Sequence, residues 1–308
     1  MLAIFIKTLP FFMLIGLGWA AARSRIFPAE GAVWLTKFVF YFPLSAMLFR
    51  FAATLEFNQI WDPRFALAYL AGSLLIWGIG IAAGRSRGQD SGISLIEAHC
   101  CVIGNTGFLG VPMLVVLMGN AAAGPVLMVL IIDLVVFSTL ITLLMTATRH
   151  GRIRLSMAGA LLRGLLANPM IVSMLAGLFW SWASLPIPGP AMEFLTMLSA
   201  AATPGALFAI GASLAGRQAD RPAVAIWLSF AKLVLHPAAV GLAAWLLGVE
   251  PFAASVMIAA AALPVAGNVY MLAQYFGIGV QRVSSAILIS TAASVFTIPI
   301  VMHLIGQG

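Results

Sequence analysis

Two asparagines occupy matching phrases in a chain that carries few polar side chains. Asn105 ends Val102-Ile103-Gly104-Asn105, and Asn268 ends Val265-Ala266-Gly267-Asn268, 163 positions further on. An asparagine amide offers two donors and an acceptor. Each lies inside a long apolar stretch at a point where a helix is hard to continue. Thr106, Gly107, Gly110 and Pro112 follow the first, while Pro264 and Gly267 flank Val265-Ala266 at the second. A glycine costs about 1 kcal/mol and an interior proline about 3 kcal/mol relative to alanine in a helix. Pro264 also removes a backbone donor and crowds the preceding turn. A broken helix presents new ends, and each N-terminal end carries about half a positive charge with free N–H groups. Such ends beside asparagine amides suit a carboxylate or another small anion, and can also hold a neutral polar group. The candidate binding residues are therefore Gly104, Asn105, Thr106, Pro264, Gly267 and Asn268.

Ionisable groups at membrane depth are the second source of chemistry, because each costs about 2.5–3.5 kcal/mol on insertion scales. Asp133, Lys232 and Glu97 are the candidates for ion coupling or charge relay. Asp133 or Glu97 would hold a proton or cation, and Lys232 would attract an anion or relay charge. The competing reading pairs Asp133 with a lysine as a structural ion pair. Lys232 and His236 are one turn apart and share a helix face. His236 precedes Pro237, where a satisfied histidine at a kink suffices. Lys37 has a stem long enough to reach toward the interface. His99-Cys100-Cys101 is too compact for a metal cage on one helix, so neither a metal site nor a cofactor is expected.

The elements that must position these residues are long and apolar. The 308 residues are 62% hydrophobic and 8% charged, with a mean hydropathy of +1.08. No soluble domain hides that much apolar surface, so the expected fold is an all-α integral membrane protein with the lipid bilayer as partner. Runs of membrane-spanning length fall near 2–22, 31–53, 64–84, 93–118, 122–147, 161–183, 189–215, 223–247, 251–277 and 282–305, ten in all. The first is not expected to be a cleaved signal, since only Lys7 precedes or interrupts it. The net charge of +7 is spread over short connections, which argues against nucleic-acid binding. Zinc-protease, acid-dyad and phosphate-loop motifs are missing, so an enzyme is not expected.

Lysine and arginine positions set the expected orientation. Connections after odd-numbered runs carry Arg23, Arg25, Arg85, Arg87, Arg149, Arg152, Arg154, Arg217, Arg221 and Arg282. Connections after even-numbered runs carry Arg50 and Arg64, offset by Glu56 and Asp62. Both termini then face outward. Five spans per half invert the second half, so residues 1–150 and 155–308 should relate as inverted repeats in a single domain. Further echoes support the pairing: Pro43 with Pro204, and Gly16-Leu17-Gly18-Trp19 with Gly177-Leu178-Phe179-Trp180, each 161 positions apart. Inverted halves would bring the breaks of the fourth and ninth spans together as an X.

Asn105-Thr106-Gly107-Phe108-Leu109-Gly110-Val111-Pro112 resembles the fourth-helix signature of the auxin efflux carrier family of bacterial secondary transporters. Pro204 with Ala206-Leu207-Phe208-Ala209-Ile210-Gly211-Ala212, Asn168-Pro169 and Leu263-Pro264 are similar to other parts of its pattern, so the resemblance covers essentially the whole chain. It implies ten helices, a scaffold with a mobile transport bundle, and crossing at the fourth and ninth helices. It also implies a small organic anion as substrate, auxin-like or malate- or malonate-like, with H+ or Na+ as coupling ion. One departure is Gly104, where many relatives have proline. The expected location is the bacterial cytoplasmic (inner) membrane, and a homodimer is left open. The alternative function is a cation/proton antiporter on a related broken-helix plan, which would want more carboxylates beside the crossing.

Overall fold

The computed structural model describes residues 2–54, 62–150, 156–216 and 222–306. Glu56, Arg152, Arg154, Arg217 and Arg221 lie outside the described residues.

Apolar runs fold as helices because lipid cannot satisfy a bare backbone. The helices are α1 (Leu2–Arg23), α2 (Ala29–Tyr41), α3 (Pro43–Thr54), α4 (Pro63–Ser86), α5 (Ser91–Val102), α6 (Val111–Met118), α7 (Ala123–Ile131), α8 (Ser138–His150) and α9 (Ser156–Leu166). The chain continues through α10 (Pro169–Trp182), α11 (Gly189–Ala200), α12 (Ala202–Leu214), α13 (Pro222–Phe230), α14 (His236–Leu246), α15 (Pro251–Ala261), α16 (Gly267–Phe276) and α17 (Val280–Leu304). Several starts repeat one device, an oxygen-bearing cap followed by proline. Asp62 accepts from Arg64 N at 2.8 Å, Asn168 from Met170 N at 3.0 Å, and Glu250 from Ala253 N at 2.7 Å. A cap of this kind contributes about 1 kcal/mol, and the proline occupies a position whose N–H would have no helical partner.

Among the described residues, seven helical stretches are long and apolar enough to cross a bilayer: 4–23, 30–54, 63–86, 120–148, 189–214, 222–246 and 280–304. The remaining three expected runs are each divided into shorter helices. The fourth gives α5 and then a wide turn leading into α6, and the ninth gives α15 and α16. Both breaks fall where glycine, proline and asparagine gather. The sixth run differs from the expectation of one continuous span at 161–183, because α9 ends at Leu166 and α10 begins at Pro169. Pro169 disfavours helix at the residue before it, and Asn168 instead takes an extended conformation and caps α10.

Among the described residues three wide turns of π type occur: Thr106–Gly110 leads into α6, and Ile132–Phe137 and Ala231–Leu235 interrupt otherwise continuous helices. Thr106, Asp133 and Lys232 sit in them. Such bulges expose carbonyls that a regular helix would use, and they recur at functional sites.

The helices pack as two bodies. In the first, α1 lies along α12, α3 lies along α10 and α11, and α2 lies against α12. In the second, α4 packs on α5 and α14, α13 on α17, and α14 on α15. The bodies meet where α1 touches α17 and where α12 touches the Thr106–Gly110 turn. Within the first body two helices approach at backbone contact. A methyl group on Gly18 would stand 2.1 Å from the Phe208 carbonyl oxygen, and one on Gly211 would stand 1.8 Å from that of Ile15. Outward positions such as Trp34, Trp182, Phe194, Trp245 and Phe296 are exposed and apolar, which suits a lipid-facing surface.

Candidate functional site

The two breaks cross and hydrogen-bond to one another. Asn105 N donates to the Pro264 carbonyl at 2.8 Å, and Ala266 N donates to the Ile103 carbonyl at 3.1 Å. Gly104 and Val265 thus form a short antiparallel bridge, while Val265 N donates to Ser290 Oγ at 3.1 Å. Buried backbone groups released by the unwinding are satisfied across the crossing, as a water-poor interior demands. Proline is well placed at 264, since its carbonyl is used and its missing donor is not needed. Asn105 turns the chain sharply, with φ −75° and ψ 52°, so that Thr106 N reaches the Gly104 carbonyl at 2.7 Å.

Four helix ends surround this bridge. The C-terminal ends of α5 and α15 arrive from one direction of the chain, and the Thr106 turn and α16 leave in the other. Gly104, Asn105, Thr106 and Pro264 are buried, whereas Gly267 and Asn268 are exposed on the first turn of α16. No side chain caps that turn, so its first N–H groups have no partner within the helix. The crossing therefore unites four of the six predicted binding residues in its core and holds the other two at an open helix N-terminus.

A belt of buried polar side chains adjoins the crossing. Thr106 Oγ1 donates to Asp133 Oδ2 at 3.4 Å, and Tyr69 Oη donates to Asp133 Oδ1 at 2.8 Å. Lys232 Nζ donates to the Ala261 carbonyl at the end of α15. It also lies 3.3 Å from His236 Nδ1, and His236 Nε2 meets Ser73 Oγ at 2.9 Å. His236 is thus satisfied on both nitrogens, as the sequence suggested for a histidine at a kink. Among the described residues the ion pairs within 4.0 Å are both made by Glu97, so Asp133 is held by hydroxyls rather than by a lysine.

Tyr69, Ser73 and Ser290 were not among the expected site residues. The first two carried a signal, because Tyr69 and Lys232, like Ser73 and His236, are separated by the same 163 positions as Asn105 and Asn268. Glu97 sits apart from this belt, paired with Arg87 and with Arg282 at the start of α17. Gln89 Oε1 accepts from Arg282 at 2.7 Å and completes the cluster. Lys37 is exposed with its ammonium 4.6 Å from the Trp34 ring. Cys100 and Cys101 are buried free thiols, and no group of three metal-ligating side chains occurs among the described residues. A cavity of about 320 Å³ is lined by Arg50, Phe51 and Thr54 of α3, Met192 of α11, and Asn120 and Ala123 before and in α7.

The fold and this centre define a multi-helical membrane protein whose paired broken helices cross in its interior. A family model described as "Membrane transport protein" matches residues 3–302, and the chain belongs to that family, the auxin efflux carriers. It is also 30% identical over 304 residues to a protein of Rhizobium meliloti (strain 1021) named "Putative malonate transporter", covering 97% of this chain and 95% of the relative.

Proposed function

We propose that this protein is a secondary active carrier for a small organic anion, a mono- or dicarboxylate, working by alternating access across the bacterial inner membrane. The observation that carries the reading is the hydrogen-bonded crossing of the two breaks beside the open N-terminus of α16. The relative's name points the same way, toward a dicarboxylate of malonate's size. One carboxylate of the substrate would take the free N–H groups at Gly267 and Asn268, with the Asn105 and Asn268 amides completing its shell. Gly104, Thr106 and Pro264 shape the floor. Arg50, which lines the cavity, would draw the anion in before it reaches the crossing.

Alternating access needs two bodies that slide past each other, and the packing supplies a division. The first body would be the scaffold and the second, carrying the crossing, the moving part. Ten spans in two inverted halves are the plan that best explains the recurring offsets. Ser73 and His236 are in contact, as residues on the pseudo-two-fold axis must be. Gly18 meets Phe208 while Gly177 meets Phe49, and both pairs interchange under one shift of 159 positions. Asp133 is the carboxyl group nearest the crossing and is our choice for the coupling site, with Lys232 beside the same crossing. Glu97 is better employed as a clasp between α5 and α17. A cation/proton antiporter would want a cluster of acids here, and among the described residues Asp133 stands without a second carboxylate at the crossing.

The test is thermal stabilisation of the purified protein by a panel of mono- and dicarboxylates. A ligand at 100 times its Kd stabilises the folded state by about 2.7 kcal/mol. Malonate or a close relative should raise the melting temperature of the wild type, and Asn105→Ala with Asn268→Ala should weaken that response at least tenfold in apparent Kd. An unchanged response in the double variant would remove the crossing as the site.

A further inference from the structure

The crossing joins helix ends of both signs: α5 and α15 end at the bridge, and the Thr106–Gly110 turn and α16 begin beyond it. Broken membrane helices commonly use those C-terminal carbonyls to hold a coupling cation such as Na+. In this chain a side chain is already there. Lys232 is fully buried, and its ammonium donates to the Ala261 carbonyl, the last residue of α15. The same ammonium lies 3.3 Å from where a Cβ on Gly104 would be, just beyond the end of α5. One amine thus donates to the negative end of α15 and stands beside the residue just past the end of α5.

We infer that the Lys232 ammonium is a built-in cation that takes the place of a coupling Na+ at the crossing, so that the carrier binds and moves its substrate without sodium. This rests on the carrier reading and narrows its coupling ion. Three features of the structure agree with it. The wide turn Ala231–Leu235 carries Lys232 at its second position. Gly104, with no side chain, leaves room for the ammonium beside the bridge. The neighbouring polar group is complementary: His236 Nδ1 lies 3.3 Å from the amine.

The experiment melts purified wild type and Lys232→Ala in NaCl and in choline chloride at equal ionic strength, with no carboxylate present. Wild type should melt identically in both salts. Lys232→Ala should melt lower, and its melting temperature should rise saturably with Na+ or methylammonium but not with choline. A saturable rise of the wild type with Na+ overturns the inference, as does a folded Lys232→Ala that answers to neither small cation. A second measurement covers a variant that fails to fold. Malonate flux into wild-type proteoliposomes should be undiminished in sodium-free medium, and an absolute requirement for Na+ would overturn the inference. Because the melting comparison contains no carboxylate, failure of every carboxylate to bind would strike the proposed substrate and leave the cation result standing.

Discussion

Gly104 decides how much room the crossing has. A methyl group there would lie 3.3 Å from Lys232 Cε and Nζ and 3.4 Å from the Ala260 carbonyl oxygen, so a neighbour would have to give way. The backbone is pinned by the bridge to Val265, which leaves the lysine to move. Gly104→Ala is therefore expected to pull the ammonium off the Ala261 carbonyl and to cost about 1–3 kcal/mol, the usual penalty for a buried polar group left without its partner. A thermal melt of the purified variant checks this, and an unchanged melting temperature would mean that the lysine adapts freely. Ser73 offers a smaller effect. Ser73→Ala removes the hydroxyl that meets His236 Nε2, and the expected loss is about 1 kcal/mol. The asparagines and glycines of the crossing were legible in the sequence because their chemistry is local. Tyr69 and Ser73 were legible only as a 163-position offset from Lys232 and His236, and only the fold brings them against Asp133 and His236.

Helix ends are joined elsewhere by ions. Glu97 is 1% exposed and binds Arg282, itself 8% exposed, together with Arg87, which is 32% exposed. Their surroundings make these two pairs unequal. Arg282 is buried with α17, and losing its carboxylate leaves a charge in a poor solvent, so Glu97→Gln should destabilise the protein by about 3–5 kcal/mol. Arg87 can return to water, and Arg87→Ala should cost about 1 kcal/mol or less. Melting curves of the two variants provide the comparison, and equal losses would contradict the clasp. The elements themselves were largely readable, because apolar length and clustered glycine and proline announce both spans and breaks. The sixth run was misread as continuous. Apolar length alone hides the break, which Asn168-Pro169 makes by ending one helix and capping the next.

Across the whole molecule, the proposed motion can be caught by linking the bodies. A methyl group on Gly107 would come 2.5 Å from Met170 Cε, so these residues face each other across the boundary. In a variant with Cys100 and Cys101 replaced, Gly107→Cys with Met170→Cys should cross-link with a mercury reagent and lose nearly all flux, regained when excess free thiol strips the mercury. A pair inside the first body, Gly177→Cys with Ala52→Cys, should cross-link and keep its flux; equal inhibition would argue against a scaffold that stays whole. The composition made the bilayer evident, and the offsets suggested two related halves, but which helices would travel together is a property of packing that no single run contains. The contact of Ser73 with His236 has a thermodynamic consequence as well. Under an inverted two-fold, identical halves would give outward-open and inward-open forms the same free energy, and neither would be the resting state. On the proposed plan of inverted halves, serine facing histidine, and tyrosine at the counterpart of Lys232, would remove that degeneracy. Exchanging Ser73 with His236 should then tilt the balance between the two forms.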